Sequence, residues 1–321
     1  MPDAPFISYA QNGEDVVLWR ALHSVVDGRY VEVGANDPTK FSISRSFYDR
    51  GWSGITIEPV PSFAALHREA RPRDIQVEAA ATSMPVDEIT LHAIPETGLS
   101  TLVDDISERH GAAGFEHADI VVAARRLDSI LEENHYEDVE IHFLVVDVEG
   151  AEADALRSID LTRWRPWVLV IESTAPLTTE QSHTEWEDSV LAAGYVFCLF
   201  DGISRFYVAA EHADELGSKL SYPACVLDPY TRISDLEGAE HTARTIADKD
   251  DQIAVLTRQV LHWRSHALRN WASSNTQIDR PAELESHYRA EMAAMENTLS
   301  WRVTRPLRGA RRLGNAIRRR G

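Results

Sequence analysis

Short apolar runs alternate with amphipathic stretches between residues 30 and 208. This alternation is typical of a parallel β-sheet whose connecting helices cover both of its faces. Five runs rich in valine and isoleucine are predicted to be its strands, at residues 30–33, 55–58, 75–79, 143–147 and 168–172. Several of these runs end at an acidic residue, so the carboxyl edge of the predicted sheet carries most of the candidate chemistry.

A further pair of strands is predicted at residues 195–200 and 205–208. They flank the dipeptide Asp201-Gly202, a hairpin signal, and are expected to close the sheet with an antiparallel pair. Earlier in the chain, residues 82–126 form an insertion longer than an ordinary connection. Its apolar runs predict extra strands or a lid.

After about residue 232 the apolar positions take the three-and-four spacing of a helix. The clearest series is Ile253, Leu256, Val260, Trp263 and Ala267. This seam covers about two heptads, fewer than the three or four that establish a coiled coil. Residues 233–300 are therefore predicted to form a helical extension, packed either on its own domain or on a second copy of the chain.

The charge of the chain is divided unevenly. Its 321 residues include 32 Lys and Arg against 51 Asp and Glu, a net charge of −19, which argues against nucleic acid as the main partner. Residues 301–321 hold eight arginines and neither an acid nor a lysine. An acidic body and a basic tail are thus separate features, and the predicted domains are residues 1–232, 233–300 and 301–321.

The two cysteines, Cys198 and Cys225, lack the spacing of a disulfide framework or a zinc site, which indicates a reducing compartment. The N-terminus lacks the order of a signal peptide, and no apolar run approaches the ~20 residues that span a bilayer. The sequence predicts a cytoplasmic protein, and peripheral contact with the inner membrane is compatible with this prediction.

The first candidate site follows the first strand, where Gly34 begins a Gly-Ala-Asn-Asp turn at the carboxyl edge of the sheet. A glycine there lets the backbone approach a ligand closely. Glu58 ends the second strand roughly 20 residues later, the spacing at which an acid binds a ribose hydroxyl pair. The turn lacks the GxGxxG pattern, so a role in cradling phosphate is weakly supported.

Acidic residues also end the fourth and fifth strands. Asp147 and Glu149 follow one of them and Glu172 ends the other. Together with Glu58 they are predicted to converge on one rim. Such a negative mouth suits a cationic ligand, a divalent metal, or a hydroxyl that must lose its proton.

The motifs occur in a recognisable order. They are SYAQNGED at residues 8–15, VEVGAND at 31–37, IEPVP at 57–61, LVVDVEGAE at 144–152, VLVIES at 168–173 and GYVFCLFDGISRFYV at 194–208. This order resembles the FkbM family of S-adenosylmethionine-dependent methyltransferases over about residues 6–230. The resemblance implies an α/β, class I (Rossmann-like) fold, with a mostly parallel seven-stranded sheet and an antiparallel last hairpin.

The resemblance also implies roles for residues at the site. The residues expected around the methionine portion of the cofactor are Glu32, Gly34, Ala35 and Asn36. Glu58 is expected on the cofactor's ribose, and a leader segment containing Gln11, Asn12, Glu14 and Asp15 is expected to fold over the cofactor. The first loop departs from many methyltransferases in having Gly34 as its single glycine.

Methyl transfer to a hydroxyl needs a base, because an aliphatic hydroxyl is a poor nucleophile. Asp147 is the predicted base, with Glu149 or Glu172 orienting it. The alternatives are that Asp147 only positions the cofactor or the backbone, or that these carboxylates hold Mg²⁺. No dedicated metal-ligand spacing requires that ion.

The predicted function is O-methylation of a sugar hydroxyl in the synthesis of bacterial surface polysaccharide. The alternatives are methylation of a polyketide or lipid hydroxyl, and a non-catalytic methyltransferase-like scaffold. The tail begins as SWRVTRPLR and resembles an ending found in bacterial glycosyltransferases. Residues 301–321 are expected to contact an anionic membrane or a glycosyltransferase complex, and the alternatives are a disordered tail and one docked on the acidic body.

Overall fold

A seven-stranded sheet organises the first part of the chain. The computed structural model describes residues 5–94, 99–103, 106–107, 111, 118–176, 178–275 and 281–304. The strands are β1 (Phe6–Ser8), β2 (Arg29–Val33), β3 (Ser53–Ile57), β4 (Ile75–Val77), β5 (Ala80–Ala81), β6 (Glu88–Ala93), β7 (Ala118–Arg125), β8 (Phe143–Val146), β9 (Val168–Glu172), β10 (Tyr195–Phe200), β11 (Ser204–Ala209) and β12 (Tyr230–Arg232).

Most helices connect these strands, and the last three follow the final strand. They are α1 (Glu14–Leu22), α2 (Arg45–Tyr48), α3 (Pro61–Ala70), α4 (Leu127–Glu133), α5 (Glu152–Arg157), α6 (Glu187–Ala192), α7 (Ala213–Leu216), α8 (Ile233–Asn275), α9 (Pro281–Glu296) and α10 (Leu299–Val303). The chain divides into two units, residues 1–239 and residues 240–321.

The strand order of the main sheet is β10-β11-β9-β8-β2-β3-β4. Its five strands from β9 to β4 pair in parallel, whereas β11 runs antiparallel to both of its neighbours, so the α/β sheet is mixed. All seven predicted strands are present, each within two residues of its predicted bounds. Gly202 forms the predicted hairpin turn with a φ of +109°.

The chain reverses direction across the sheet between β2 and β8, which lie side by side. From β2 the strands continue to β3 and β4 on one side, and from β8 they continue to β9 on the other. In open α/β sheets, the carboxyl ends of strands at such a reversal border a crevice, which is the usual position of a ligand site.

Both faces of the sheet are covered. Along β8, Phe143 and Val145 pack into one apolar cluster while Leu144 and Val146 pack into the other. Because successive side chains of a strand point to opposite faces, a strand covered on both sides must be apolar at every position. This explains why the central strands have continuous apolar runs rather than alternating ones.

Two strands of the insertion, β6 and β7, form a second sheet together with the preceding β5, in the order β5-β7-β6. The prediction of extra strands in the insertion is therefore confirmed. A small apolar cluster of its own holds this sheet, with Ala80, Leu91 and Val122 among its members.

The described chain after residue 232 forms α8, α9 and α10, and the predicted domain bounds of 233–300 and 301–321 stay predictions. The seam of α8 is open, since Ile253 and Val260 are 60% and 65% exposed. None of the described helices is both long enough and apolar enough to cross a membrane. Residues 305–321, which carry most of the basic tail, lie outside the described residues.

Candidate functional site at the carboxyl edge of the sheet

Two adjoining cavities open at the carboxyl ends of the central strands. The larger has a volume of about 500 Å³, within the range of small-molecule sites. The narrower one lies toward β3 and the small sheet. Five residues line both cavities: Gly34, Asn36, Phe63, Asp147 and Glu149.

Gly34 brings the ends of β2 and β8 together. Its φ is +79°, and a Cβ at this position would lie 1.7 Å from the carbonyl oxygen of Asp147. Only glycine fits such an approach. The sequence predicted a close approach of this backbone to a ligand, and the structure shows a close approach to Asp147, which sets the first loop beside the acid.

Asn36 and Glu58 form one corner of the site. The Asn36 amide donates a hydrogen bond of 2.8 Å to Oε2 of Glu58, and the Val60 amide donates one of 2.7 Å to Oε1. Burial raises the pKa of Glu58 to about 7, although both amide bonds lower it. The Asn36 side-chain oxygen Oδ1 is buried and has no partner among the described residues.

Three acids meet at the shared wall of the cavities. Asp147, Glu149 and Glu172 each offer a carboxylate oxygen, and these oxygens lie within 4.8 Å of one another. We call these three residues the acidic cluster. Adjacent parallel strands bring them together, because Asp147 follows β8 and Glu172 ends the neighbouring β9. Glu58 does not join this group, although it lines the narrower cavity with two of its members.

A tight turn holds Glu149 in place. Glu149 has a φ of +50° and Gly150 a φ of +95°. The Glu152 carboxylate, in the first turn of α5, accepts hydrogen bonds from the amides of Val148 (3.2 Å) and Gly150 (2.9 Å). A carboxylate in this position braces the turn and favours the helix N-terminus.

The acidic cluster has raised pKa values and no ion-pair partner among the described residues. Burial and then the charge of Asp147 raise the pKa of Glu149 to about 9. Burial, followed by the charges of Asp147 and Glu149, raises the pKa of Glu172 well above its usual range. Burial raises the pKa of Asp147 as well, although its hydrogen bond with Glu172 lowers it. Among the described residues no Lys, Arg or His forms an ion pair with the cluster, so it can take up a proton or accommodate a cation.

The leader segment borders the larger cavity through Gln11 and Glu14. Glu14 is buried, and burial together with the charge of Asp201 raises its pKa to about 8. Asn12 anchors the segment by donating a 3.0 Å hydrogen bond to the Asp201 carbonyl. Asp15 accepts a 2.8 Å hydrogen bond from the Ser46 hydroxyl and so ties the leader to the domain.

Glu32 reaches the larger cavity, but its carboxylate already has partners. It accepts a hydrogen bond from the Ser44 hydroxyl and lies 3.7 Å from a guanidinium nitrogen of Arg71. Ala35 is buried beside it, and its amide donates a 3.1 Å hydrogen bond to the Ile57 carbonyl. The predicted contacts of these two residues with a cofactor stay predictions.

Sequence reasoning missed three residues of this region. Arg71 is fully buried beneath the first loop, and Lys40 and Phe41 line the larger cavity. A basic residue just after a helix is normally exposed, so the sequence does not indicate that Arg71 is buried. The run of small and polar residues around Phe41 gave no reason to single out one aromatic ring.

Comparison with known proteins adds a family match. The methyltransferase FkbM domain profile matches residues 32–197. None of the curated proteins matches the chain. Among solved structures, a TehB-like SAM-dependent methyltransferase from Corynebacterium glutamicum is similar with a TM-score of 0.36 and 8% identity, covering 62% of this chain and 88% of that chain.

Proposed function

The chain belongs to the FkbM family of methyltransferases, and on that premise we propose that it transfers a methyl group from S-adenosylmethionine to a sugar hydroxyl. The observation that carries the proposal is the acidic cluster. Three carboxyl groups with no ion-pair partner among the described residues lie beside the Gly34 loop, where a sulfonium and a hydroxyl would both benefit from negative charge.

The mixed sheet supports a finer assignment of the fold. We take it as the class I, Rossmann-like methyltransferase fold, with a mostly parallel seven-stranded sheet and an antiparallel last hairpin. The support is the strand order, which reverses between β2 and β8 and places the antiparallel β11 between β9 and β10.

The residues of the narrower cavity fit the nucleoside part of the cofactor. Its walls include Val60, Phe63, Ala79 and Leu91, an apolar lining suited to an adenine ring. The Glu58 oxygens each accept one amide hydrogen bond and retain lone pairs for a ribose hydroxyl pair. The buried, unpartnered Asn36 Oδ1 is an acceptor suited to the ammonium group of the methionine portion.

S-adenosylmethionine supplies an electrophilic methyl group on a positively charged sulfur. We propose that Asp147, as the base, accepts the proton of the acceptor hydroxyl. Glu172 holds the Asp147 carboxylate by a hydrogen bond, and the raised pKa values of Glu149 and Glu172 keep protons on the neighbours while Asp147 is ionised. The chain's contribution is to align the acceptor oxygen and to receive its proton.

Two alternatives concern the same cluster. Its three oxygens are close enough to bind one divalent cation, and hard oxygen ligands suit Mg²⁺. Activity after dialysis against EDTA distinguishes a bound Mg²⁺ from the proposed base. If Asp147 acts as a base without a metal, activity survives chelation, whereas magnesium-dependent activity is lost. The other alternative, that Asp147 only positions the cofactor, predicts that Asp147→Asn weakens cofactor binding in proportion to its effect on turnover.

The exposed seam of α8 supports pairing with a second copy of the chain. Ile246, Ile253 and Val260 recur every seven residues, and Leu256 and Trp263 do the same on the adjoining line. β-Branched residues on one line with leucine on the other favour two-stranded coiled coils. Light scattering on the full chain should give a dimer that Val260→Asp converts to monomer. The exposed Arg258→Asp is the control that should stay dimeric.

We also propose that residues 301–321 recruit the protein to an anionic inner-membrane surface or to a glycosyltransferase there. The support is their eight arginines without an acid. Sedimentation with phosphatidylglycerol vesicles tests the membrane contact. Replacement of the eight arginines by glutamine should abolish it, and unchanged sedimentation would reject it.

The function itself is tested in two steps. Titration calorimetry should detect S-adenosylmethionine binding that Glu58→Ala weakens; no binding would reject the proposal. Mass spectrometry of surface polysaccharide from a deletion strain should then show the loss of one methyl increment. An unchanged polysaccharide with a missing methyl on a lipid or polyketide would redirect the acceptor class, and cofactor binding without any lost methyl would favour the scaffold alternative.

A further inference from the structure

A strained aromatic residue stands at the mouth of the larger cavity. Phe41 has a φ of +59°, lines the cavity and is 59% exposed. A bulky residue in the left-handed region is a conformational outlier that costs free energy. The ring gains little burial to offset that cost, so its position needs another explanation.

The surrounding chain holds Phe41 in this conformation from several directions. The buried Arg71 guanidinium donates hydrogen bonds to the Pro38 carbonyl (2.6 Å) and to the Ser42 hydroxyl (2.5 Å). These two partners flank Phe41 in the chain. Phe41 also forms a parallel β-bridge with Ala10 of the leader segment. Backbone strain persists where neighbouring contacts over-determine it, and such positions concentrate at functional sites.

Other residues with positive φ are easier to explain. Asp27 and Asn36 belong to the types that tolerate this region, and Glu149 belongs to the acidic cluster. His135 closes a turn after α4, outside both cavities. Among the described residues Phe41 is the one apolar side chain with a positive φ outside glycine.

Lys40 adds a charge beside the ring. Its Nζ lies 5.4 Å from the centroid of the Phe41 ring. Among the described residues that line the larger cavity, Lys40 has the one cationic side chain, and six others are acids: Glu14, Glu32, Asp37, Asp147, Glu149 and Glu172. An anionic group entering this cavity is therefore attracted to Lys40 and repelled from the remaining charged walls.

We propose that Phe41 and Lys40 form the acceptor subsite and select a pyranose that carries an anionic group. The ring face of Phe41 packs on the C–H face of the sugar, and Lys40 pairs with its carboxylate or phosphate. The proposal rests on the proposed function, since it names the acceptor class of the same site. It explains why a strained, exposed ring is held at the cavity mouth.

The test uses three probe sugars on the full chain. Methyl β-glucuronide, glucose 1-phosphate and methyl β-glucoside are titrated by saturation-transfer NMR, with and without S-adenosylhomocysteine. At least one anionic probe should bind about tenfold more tightly than the neutral one, and the carboxylate and phosphate arms identify the group. Equal affinities for all three, or no binding of any, would overturn the subsite.

Variants separate the two residues. Phe41→Gly should weaken binding of the anionic sugar about tenfold, whereas Phe41→Tyr should keep it. Lys40→Gln should remove the preference for the anionic probes and leave weak binding of the neutral one. Unchanged binding in Phe41→Gly would contradict the stacking role.

A matched glycine variant controls for stability. Phe41→Gly and His135→Gly both relieve a positive φ, so each should keep or raise the melting temperature by about 1–4 °C. Only Phe41→Gly should weaken sugar binding. Failure of S-adenosylmethionine to bind would reject the proposed function without touching this result, because the sugar titration is also made without cofactor.

Discussion

Two clusters that contain carboxyl groups in the sheet domain differ in what surrounds them. Glu32 and Asp74 each lie 3.7 Å from the fully buried guanidinium of Arg71. We call these three residues the Arg71 cluster. The carboxylate oxygens of Asp147, Glu149 and Glu172 lie within 4.8 Å of one another, but none of the described residues supplies them with a cation.

The difference separates structure from function. In the Arg71 cluster the buried charges are compensated, and serine hydroxyls and backbone groups satisfy the remaining donors and acceptors. Burial raises the pKa values of Glu32 and Asp74 as well, but the charge of Arg71 lowers both. Among the described residues the acidic cluster has no such cation, so folding brings its carboxyl groups together with raised pKa values and no charge to offset them. An unfavourable arrangement of this kind is retained where a ligand completes it.

The largest expected effect comes from the acidic cluster. Asp147→Asn removes the proposed base and should lower methyl transfer by about 10²–10⁴-fold. The measurement is transfer of labelled methyl from S-adenosylmethionine to surface polysaccharide of the deletion strain. The unfolding midpoint should stay the same or rise, because a buried charge is lost. Full activity in this variant would exclude Asp147 as the base.

A substitution in the Arg71 cluster should lower the stability of the folded chain rather than its activity. Arg71→Met leaves Glu32 and Asp74 buried without their shared guanidinium and should cost about 3–5 kcal/mol in the free energy of unfolding, measured in urea. Arg68→Met, in the preceding helix α3, is the matched control. Arg68 forms an exposed ion pair with Glu78, so its replacement should cost at most about 1 kcal/mol in the free energy of unfolding. Equal losses in the two variants would contradict the account of the cluster.

The comparison can be sharpened by pH. The pKa of Glu149 is raised to about 9 in the folded chain, above its unfolded value, so the folded state is favoured at low pH and loses that advantage as pH rises through 9. Glu149→Gln should therefore gain roughly 1–3 kcal/mol over the wild type between pH 6 and pH 9. The exposed Glu180→Gln should show no such gain. A gain of equal size in both would contradict the raised pKa.

A smaller effect is expected at Glu58. In the proposed cofactor site the ionised carboxylate would accept hydrogen bonds from the ribose hydroxyls, and burial raises its pKa to about 7. Affinity for S-adenosylmethionine should therefore increase between pH 6 and pH 8. Glu58→Gln should lower that affinity about tenfold at pH 8, the equivalent of about 1.4 kcal/mol, and flatten the pH profile. A profile unchanged in the variant would assign the pH dependence to another group.

The fold was largely predictable because its central strands are covered on both faces. Val168–Glu172 is an unbroken apolar run ending in an acid, and it forms a strand with the predicted bounds. The pairing of β1 with β12 left no comparable pattern. Strands of three residues are too short to show periodicity, and these two lie at opposite ends of the first unit in the sequence.

The acids of the site were predictable for the same topological reason. The carboxyl ends of neighbouring parallel strands bring Asp147 and Glu172 to one edge. The Arg71 cluster and the strain at Phe41 were not predictable, because each depends on which chain segments close over it. A charged residue at position 71 and a phenylalanine at position 41 look ordinary until the loop between them is in place.

One measurement tests the central claim that the acidic cluster faces the sulfonium. S-adenosylmethionine and S-adenosylhomocysteine differ by one methyl group and one positive charge, and calorimetry gives the ratio of their dissociation constants. Asp147→Asn should shift this ratio about tenfold against S-adenosylmethionine, whereas Asp74→Asn in the Arg71 cluster should leave it unchanged. A ratio that is the same in Asp147→Asn and the wild type, or that shifts equally in Asp74→Asn, would contradict the account.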